Sequence, residues 1–199
     1  DRFVQAFRAP IIKRPNFMQQ ERQVTAAEKG TALHTVMQHL PIRKLLKKKE
    51  IEETVEMLAD KEILTRVEAS VIDSEAIEQF FHSEIAERIM ESPQVIREIP
   101  FSLTLPASKV YANWESETDE QVLIQGVIDC VIQSDDGWII LDYKTDAITA
   151  DVTEEVKVQL VSRYETQMKL YRTALETIWK EPVKETYLYF FAKDLLLEV

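Results

Sequence analysis

Two aspartates and a lysine on neighbouring predicted strands are the residues of this sequence best placed to do chemistry. Asp129 and Asp142 each interrupt an apolar run rich in Val and Ile, and Lys144 ends the second run. The tetrapeptide Ser-Asp-Asp-Gly at 134–137 joins the runs and is a strong hairpin signal. A turn symmetric about positions 135 and 136 places Asp129 directly opposite Asp142.

Opposed carboxylates on paired strands predict a bound cation. Directly opposed Cβ atoms lie about 4.5 to 5.5 Å apart, so the two charges repel each other unless a cation lies between them. A divalent metal is the simplest such cation. Side chains alternate along a strand, which puts Lys144 on the same face as Asp142. A hard cation with a lysine beside it suits phosphodiester hydrolysis, because the cation polarises a phosphoryl oxygen and activates water.

Two other interpretations of the same hairpin stay open. In the first, the hairpin lies on the surface, Asp142 and Lys144 form a weak same-face ion pair, and Asp129 is solvated. In the second, the two close carboxylates serve a hydrolase of the retaining-glycosidase type, whose carboxyl groups lie about 5 to 5.5 Å apart. That chemistry needs one carboxyl with a raised pKa, which Lys144 opposes.

The elements that must position these residues alternate between helical and strand patterns. Thr25 and Glu28 form a capping box at the start of a predicted helix over 24–40, which contains His34. From residue 95 the apolar period changes to two, which indicates strands. The remaining predicted helices lie at 51–72, 74–91 and 153–179, and the predicted strands lie near 95–103, 122–133, 138–144 and 185–191. We expect an α/β domain over 24–199 with a helical insertion at about 43–92.

Several short motifs, in order along residues 24 to 191, carry a family resemblance. Together they resemble the RecB-like branch of the PD-(D/E)xK nucleases, and within it the C-terminal nuclease domain of the larger, A-type chain in bacterial helicase-nucleases of the AddAB type. That family has a mixed central sheet flanked by helices, in a restriction-endonuclease-like fold. The motifs are Gly30-Thr-Ala-Leu-His34, Arg97-Glu-Ile-Pro-Phe101, Gly126-Val-Ile-Asp129, Leu141-Asp-Tyr-Lys-Thr-Asp146 and Gln167-x-x-x-Tyr171.

The resemblance implies a role for each matching residue. His34, Asp129 and Asp142 would bind the metal together with the backbone carbonyl of Tyr143, and Lys144 would be the catalytic lysine. Glu98 would be an outer-sphere or second-metal ligand, the alternative being a strand-edge carboxylate. The same-face pair Gln167 and Tyr171 would contact DNA or brace the lysine, the alternative being an ordinary pair on a helix surface.

The metal and the partners follow from the same resemblance. Mg²⁺ is the expected ion and Mn²⁺ a substitute. The substrate would be DNA, fed as single strands by a parent helicase that works with a B subunit in double-strand break repair and recombination. The B subunit of such complexes carries four cysteines for an iron-sulfur cluster. This chain has Cys130 alone, so we expect no cluster here. A catalytically silent interaction module with the same fold is the alternative function.

Composition constrains the setting. The net charge of −11 argues against a freestanding DNA-binding module, because Lys and Arg supply most non-specific affinity for phosphate. The basic run 43–49 either touches phosphate or is a solvated helix face. Residues 1–23 have the composition of a linker from a longer chain. The sequence contains no long apolar span and no phosphate-cradling glycine loop, and we expect a cytoplasmic protein without a membrane segment or an ATP site.

Overall fold

The computed structural model describes residues 24–110 and 120–199, and the predicted linker at 1–23 lies outside them. The chain divides into two compact units. The larger unit comprises Val24–Ile99 and Ile128–Val199, and it contains all the candidate site residues. The described part of the smaller unit consists of the distal ends of two strands and a short helix.

The N-terminal helix α1, Ala26–His39, begins as predicted. The backbone N–H of Glu28 donates to the Thr25 side chain, and the Glu28 carboxylate accepts from the backbone N–H of Thr25 at 2.8 Å. This reciprocal cap satisfies two backbone donors that the first helical turn leaves free. The buried face of α1 carries Ala32, Leu33, Val36 and Met37.

Four shorter helices follow where two longer ones were predicted. The predicted helix 51–72 is two helices, because Glu62 takes a left-handed φ of 57° and Thr65 caps a new helix with Glu68. The predicted helix 74–91 likewise divides at Ser83, whose side chain accepts from Ala86. The four helices are α2, Lys48–Asp60; α3, Arg66–Ser70; α4, Ser74–Phe80; and α5, Glu84–Glu91. Whether they form an insertion relative to a parent fold stays a prediction.

The described residues form a mixed five-stranded sheet in the order β1-β2-β3-β4-β5. Strand β3 pairs antiparallel with β2 and parallel with β4, while β5 pairs antiparallel with β4. The short strand β5 was not predicted. The strands are β1, Val95–Pro106; β2, Gln121–Ser134; β3, Gly137–Lys144; β4, Val183–Phe190; and β5, Leu195–Glu198.

The hairpin register is the predicted one. Ser134 pairs with Gly137 and Cys130 pairs with Leu141, so the two turn residues are positions 135 and 136. Because a one-residue slip would turn every side chain to the other face, this register determines where the two aspartates lie.

An aromatic cluster fills the core between the helices and the sheet of the larger unit. The Phe80 ring of α4 meets the rings of Tyr143 and Tyr189 edge to face, with centroids 5.6 and 4.9 Å away. Phe191 closes the cluster from the turn after β4. Edge-to-face pairs of this kind add about 0.5 to 1.5 kcal/mol each beyond the area they bury. The side chain of Tyr143 therefore fixes the end of β3 from behind.

The long helix α7, Glu154–Trp179, connects β3 to β4. Its N-terminus is capped by Thr153, and its end is marked by Lys180 in a left-handed conformation. The parallel pairing of β3 and β4 requires a crossover of this kind. Within 24–110 and 120–199, none of the helices combines the length and apolar character needed to span a membrane.

The smaller unit can be described from Pro100–Val110 and 120–Val127. It holds the distal ends of β1 and β2 and the short helix α6, Ala107–Val110. The backbone N–H of Ala107 donates to the Glu120 carbonyl at 2.7 Å, which joins the two strand ends.

Candidate active site

Asp129 lies at the point where the regular pairing of β2 with β3 ends. Its Oδ2 accepts a hydrogen bond from the backbone N–H of Tyr143 at 2.7 Å, and its Oδ1 lies 3.1 Å from Nδ1 of His34. The residue is 6% exposed. The expected repulsion from Asp142 is therefore offset by two donors, one from the backbone and one from an imidazole. The interpretation of a solvated Asp129 on a surface hairpin is wrong.

His34 reaches Asp129 from α1. Burial alone lowers the pKa of His34, but the hydrogen bond with Asp129 and the charges of Asp129, Asp142 and Glu98 raise it to about 9. The direction shows that the pocket attracts positive charge strongly. An imidazole in such a place is protonated at neutral pH until another cation takes its position.

Glu98 joins these two residues from β1. One ligand atom each from His34, Glu98 and Asp129 lie within 4.8 Å of one another. Glu98 has a φ of 52°, a left-handed backbone conformation that is uncommon for a residue with a side chain. Burial raises the pKa of its carboxyl, and the charge of Asp129 adds to the effect. The backbone conformation thus accompanies a carboxylate turned toward other charged groups, and strain of this kind is concentrated at functional sites.

Arg97 holds α1 in place beside this group. Its guanidinium donates to the carbonyls of Met37 and Leu40 at 2.7 and 2.8 Å. These carbonyls belong to the last turn of α1, where helix carbonyls lack helical partners and a positive charge is favourable. Arg97 was not predicted as a site residue, and no spacing in the sequence indicates its contact with α1.

Asp142 and Lys144 form a buried ion pair next to the same group. Nζ of Lys144 lies 2.5 Å from Oδ2 of Asp142, and the side chains are 11% and 4% exposed. Burial raises the pKa of Asp142 and the charge of Asp129 raises it further, while Lys144 lowers it. The pair therefore has the predicted shared face, but it is buried rather than solvated.

A chain of hydrogen bonds leads from Lys144 to α7. Nζ of Lys144 donates to Oε1 of Gln167 at 2.8 Å, and Nε2 of Gln167 donates to the hydroxyl of Tyr171 at 2.8 Å. The two residues one helical turn apart act together, as their spacing suggested. The structure places them against the lysine. Whether they also contact DNA stays a prediction.

Tyr164 completes the surroundings of the lysine and was missed by the sequence analysis. Nζ of Lys144 lies 3.9 Å from the centroid of the Tyr164 ring. The signal was available, because Tyr164 precedes Gln167 by three residues and Tyr171 by seven, which puts all three on one face of α7.

Gly30 has a different role from the one its position suggested. It lies one turn before His34, where we expected room for metal or substrate. A Cβ at this position would lie 3.0 Å from Oγ1 of Thr145, the residue after Lys144. The glycine therefore allows close approach between α1 and the end of β3.

The donor set fits a divalent metal ion. Two carboxylates and one imidazole can each direct one ligand atom to a common point. Asp142 lies beside them, with one oxygen held by Lys144. Oxygen donors of this kind suit Mg²⁺ and Mn²⁺, and an imidazole is tolerated better by Mn²⁺. The predicted roles of Asp142 and of the Tyr143 carbonyl as ligands stay predictions.

The basic run 43–49 is largely engaged within the protein. Arg43 donates to the backbone carbonyls of Ser92 and Pro93. Three of its lysines lie within ion-pair distance of glutamates on neighbouring helical positions, in the pairs Lys44–Glu50, Lys48–Glu75 and Lys49–Glu53. These contacts favour the interpretation of the run as a solvated surface over that of a phosphate-binding one.

A mixed sheet, an Asp142-x-Lys144 motif ending one of its strands and an acidic group beside them define a nuclease of a known class. The family model of the PD-(D/E)XK nuclease superfamily matches residues 5–195, and the chain belongs to this superfamily. The predicted fold class is thereby confirmed.

Individual relatives are more specific. The chain is 57% identical to the A-type chain of the ATP-dependent helicase/nuclease of Oceanobacillus iheyensis over 190 residues, which cover 96% of the chain and 15% of that relative. It is 43% and 45% identical to the chains of the same name from Geobacillus thermodenitrificans and Geobacillus kaustophilus, each match covering 96% of the chain and 16% of the relative. The predicted resemblance to such A-type chains is confirmed. The chain spans about a sixth of the length of these relatives.

Proposed function

We propose that this chain is a metal-dependent nuclease domain that hydrolyses DNA phosphodiester bonds, with Mg²⁺ as its ion and Mn²⁺ as a substitute. One observation carries the proposal. His34, Glu98 and Asp129 converge on a common point, and the buried pair of Asp142 and Lys144 lies beside it. A structural ion pair does not need two further carboxylates in the same pocket, whereas metal-assisted phosphoryl chemistry does.

The residues that would hold the ion are His34, Glu98, Asp129 and Asp142, with the Tyr143 carbonyl as a further ligand. Bound there, a divalent ion would supply a Lewis acid for the phosphoryl oxygen and lower the pKa of a bound water. Tyr143 contributes in a second way, because its backbone N–H orients the Asp129 carboxylate. Ligands oriented by such contacts need little rearrangement when a metal binds.

Lys144 is the cationic group of the proposed reaction. Its ammonium is held between the carboxylate of Asp142 and the amide oxygen of Gln167. From this position it can orient the attacking water or steady the negative charge that develops on the phosphoryl oxygens. Tyr171 supports it indirectly, because its hydroxyl accepts from Gln167 and fixes which end of the amide faces the lysine.

Cleavage of labelled DNA tests the proposal. The full 199-residue chain is incubated with end-labelled single-stranded and double-stranded DNA in Mg²⁺, in Mn²⁺ and in EDTA. We expect cutting with either metal, leaving 5′-phosphate and 3′-hydroxyl ends, and none in EDTA. Cutting that continues in EDTA, or a chain that binds metal but cuts no DNA, contradicts the proposal. The second result would favour the silent interaction module.

The relatives support a proposal for the biological setting. They are named as the A-type chains of ATP-dependent helicase/nucleases. We propose that a parent helicase, partnered by a B subunit, feeds single strands to this domain in cytoplasmic double-strand break repair and recombination. The net charge of −11 supports delivery by another part of the assembly, because the chain has little phosphate affinity of its own.

A further inference from the structure

The ammonium group of Lys144 is enclosed on three sides within the larger unit. Asp142 binds it at 2.5 Å and Gln167 accepts from it at 2.8 Å. The third side is the face of the Tyr164 ring, with the ring centroid 3.9 Å from Nζ. A cation at this distance from an aromatic face is attracted by about 0.5 to 2 kcal/mol, and the upper figures apply where the cation is desolvated. Lys144, 11% exposed in its side chain, is such a cation.

The Tyr164 ring is itself fixed by the chain that follows the lysine. Its hydroxyl donates to the Asp146 carboxylate, with both carboxylate oxygens at 2.7 Å. Arg163 donates to the same carboxylate at 3.1 Å. On the sheet side, the ring of Phe190 packs against Tyr164 with centroids 6.1 Å apart. The orientation of the aromatic face under Lys144 is therefore determined by a hydrogen bond and a ring contact.

We propose that Tyr164, anchored by Asp146, is a positioning residue for Lys144. This inference rests on the proposed function, since it assigns the pair a role in presenting the catalytic lysine. The polar partners Asp142 and Gln167 determine the direction of the ammonium N–H bonds, while the ring face prevents the flexible side chain from swinging toward α7. Because Asp146 lies two residues after Lys144, one short segment provides both the lysine and the anchor of its aromatic support.

The burial of Tyr164 is consistent with this role. Burial raises the pKa of its hydroxyl, and the hydrogen bond to Asp146 raises it further. The hydroxyl therefore remains a donor across the neutral range, and the anchor persists. A wholly structural tyrosine would give the same hydrogen bond but would not require the lysine over its ring.

The position of the lysine can be measured without catalysis. Protons held over an aromatic face move upfield in an NMR spectrum through the ring current. In the metal-free 199-residue chain labelled with ¹³C at the lysine ε carbons, we expect one upfield ε-methylene signal that disappears in Lys144→Met. Tyr164→Leu should return that signal to the range of the other lysines, and Tyr164→Phe should keep it upfield. Asp146→Ala should leave it intermediate, because the ring stays but loses its anchor.

Kinetics then separates positioning from structure. Tyr164→Leu should lower kcat by about 10- to 100-fold, the size of effect expected when a catalytic group is misplaced by about 1 Å. KM should stay close to the wild-type value, because Tyr164 is not proposed to bind substrate. Tyr164→Phe should recover most of kcat. Tyr189→Phe is the matched control, since it removes a tyrosine–aspartate hydrogen bond to Asp194 elsewhere in the sheet and should change neither readout.

Distinct results overturn the two proposals. An ε-methylene signal that is unchanged in Tyr164→Leu, or an unchanged kcat in a folded Tyr164→Leu, refutes the role of Tyr164. If the wild-type chain cuts no DNA, the proposed function fails, and the ring-current shift alone decides whether Tyr164 positions the lysine. If Tyr164→Leu does not fold, Asp146→Ala and Tyr164→Phe carry the comparison, and no effect of Asp146→Ala on the shift or on kcat refutes the anchor.

Discussion

Two charged clusters in the larger unit differ in how their charges are balanced. At the first, Arg88 of α5 donates two hydrogen bonds to the Glu185 carboxylate of β4, at 2.7 and 2.6 Å, and the Tyr187 hydroxyl donates to the same carboxylate. One cation there meets one anion. At the candidate active site, Glu98, Asp129 and Asp142 share a pocket with Lys144 and His34.

The pKa directions express the same difference. At the first cluster, the hydrogen bond from Arg88 lowers the pKa of Glu185 to about 2. At the second, burial raises the pKa values of Glu98 and Asp142, and Asp129 adds to both effects. A balanced pair favours its charges, whereas the site keeps charges that burial opposes. Such a conflict is typical of functional sites, because it creates affinity for a further cation.

The strongest test of this contrast is catalytic. Asp142→Ala and Lys144→Ala should each lower the rate of DNA cleavage by about 10²- to 10⁴-fold, the range expected for loss of a group that acts on the reacting atoms. Arg88→Leu, in the balanced cluster, should cut DNA at the wild-type rate. Rates measured under single-turnover conditions decide the matter, and near wild-type cleavage by either site variant would refute the assigned roles.

The second test is the response of stability to metal. Saturating Mg²⁺ or Mn²⁺ at about 100 times Kd should stabilise the wild-type chain by about 2.7 kcal/mol, which raises Tm by about 5 to 10 °C for a chain of this size. Asp129→Asn should lose most of this gain, because it removes a carboxylate ligand while an amide oxygen can still accept from Tyr143. Glu185→Gln, the same substitution in the balanced cluster, should keep the full gain. Thermal melts in EDTA and in excess metal make the comparison, and an equal gain in both variants would contradict it.

A third, smaller effect is expected from the balanced cluster itself. Arg88→Leu should lower stability by about 1 kcal/mol or less, because both partners are partly exposed and solvent screens their attraction. For a domain of this size the change in Tm is about 2 to 4 °C. A loss several times larger in the melting curve would show that Arg88 supports the fold by packing as well.

The smallest effect is the pH dependence of the same ion pair. Since the folded-state pKa of Glu185 is below its ordinary value, its contribution is present above the unfolded-state pKa of 4.5 and is lost as the pH falls toward about 2. The Tm difference between wild type and Glu185→Gln should therefore be constant near neutral pH and shrink as the pH falls below 4.5. A difference that grows on acidification would reverse the sign of the assigned shift.

The sequence predicted the parts of the site that local rules determine. The turn at 134–137 fixed the register of β2 against β3, and the register put Asp142 and Lys144 on one face. The helix spacing of Gln167 and Tyr171 placed them together, as the capping box of Thr25 and Glu28 placed the start of α1.

The remaining features depend on contacts between distant segments. Arg97 contacts α1 about sixty residues earlier in the chain, and no local pattern predicts that. The break between α2 and α3 was missed because the apolar residues Ile63 and Leu64 continue the helical pattern across it, although Thr65 and Glu68 form a readable capping box. The short strand β5 exists because its edge position completes the pairing of β4, which a four-residue apolar run alone does not indicate.

The central claim is that bound metal at the His34, Glu98 and Asp129 group is what makes the chain a nuclease. Its most direct test is a Mn²⁺ titration in which bound Mn²⁺ is measured by electron paramagnetic resonance and cleavage of labelled DNA is measured in the same samples. The account predicts that cleavage rises in proportion to bound Mn²⁺ in wild type and Glu185→Gln, and that Asp129→Asn loses both together. Cleavage without bound Mn²⁺, or undiminished Mn²⁺ binding by Asp129→Asn, would contradict it.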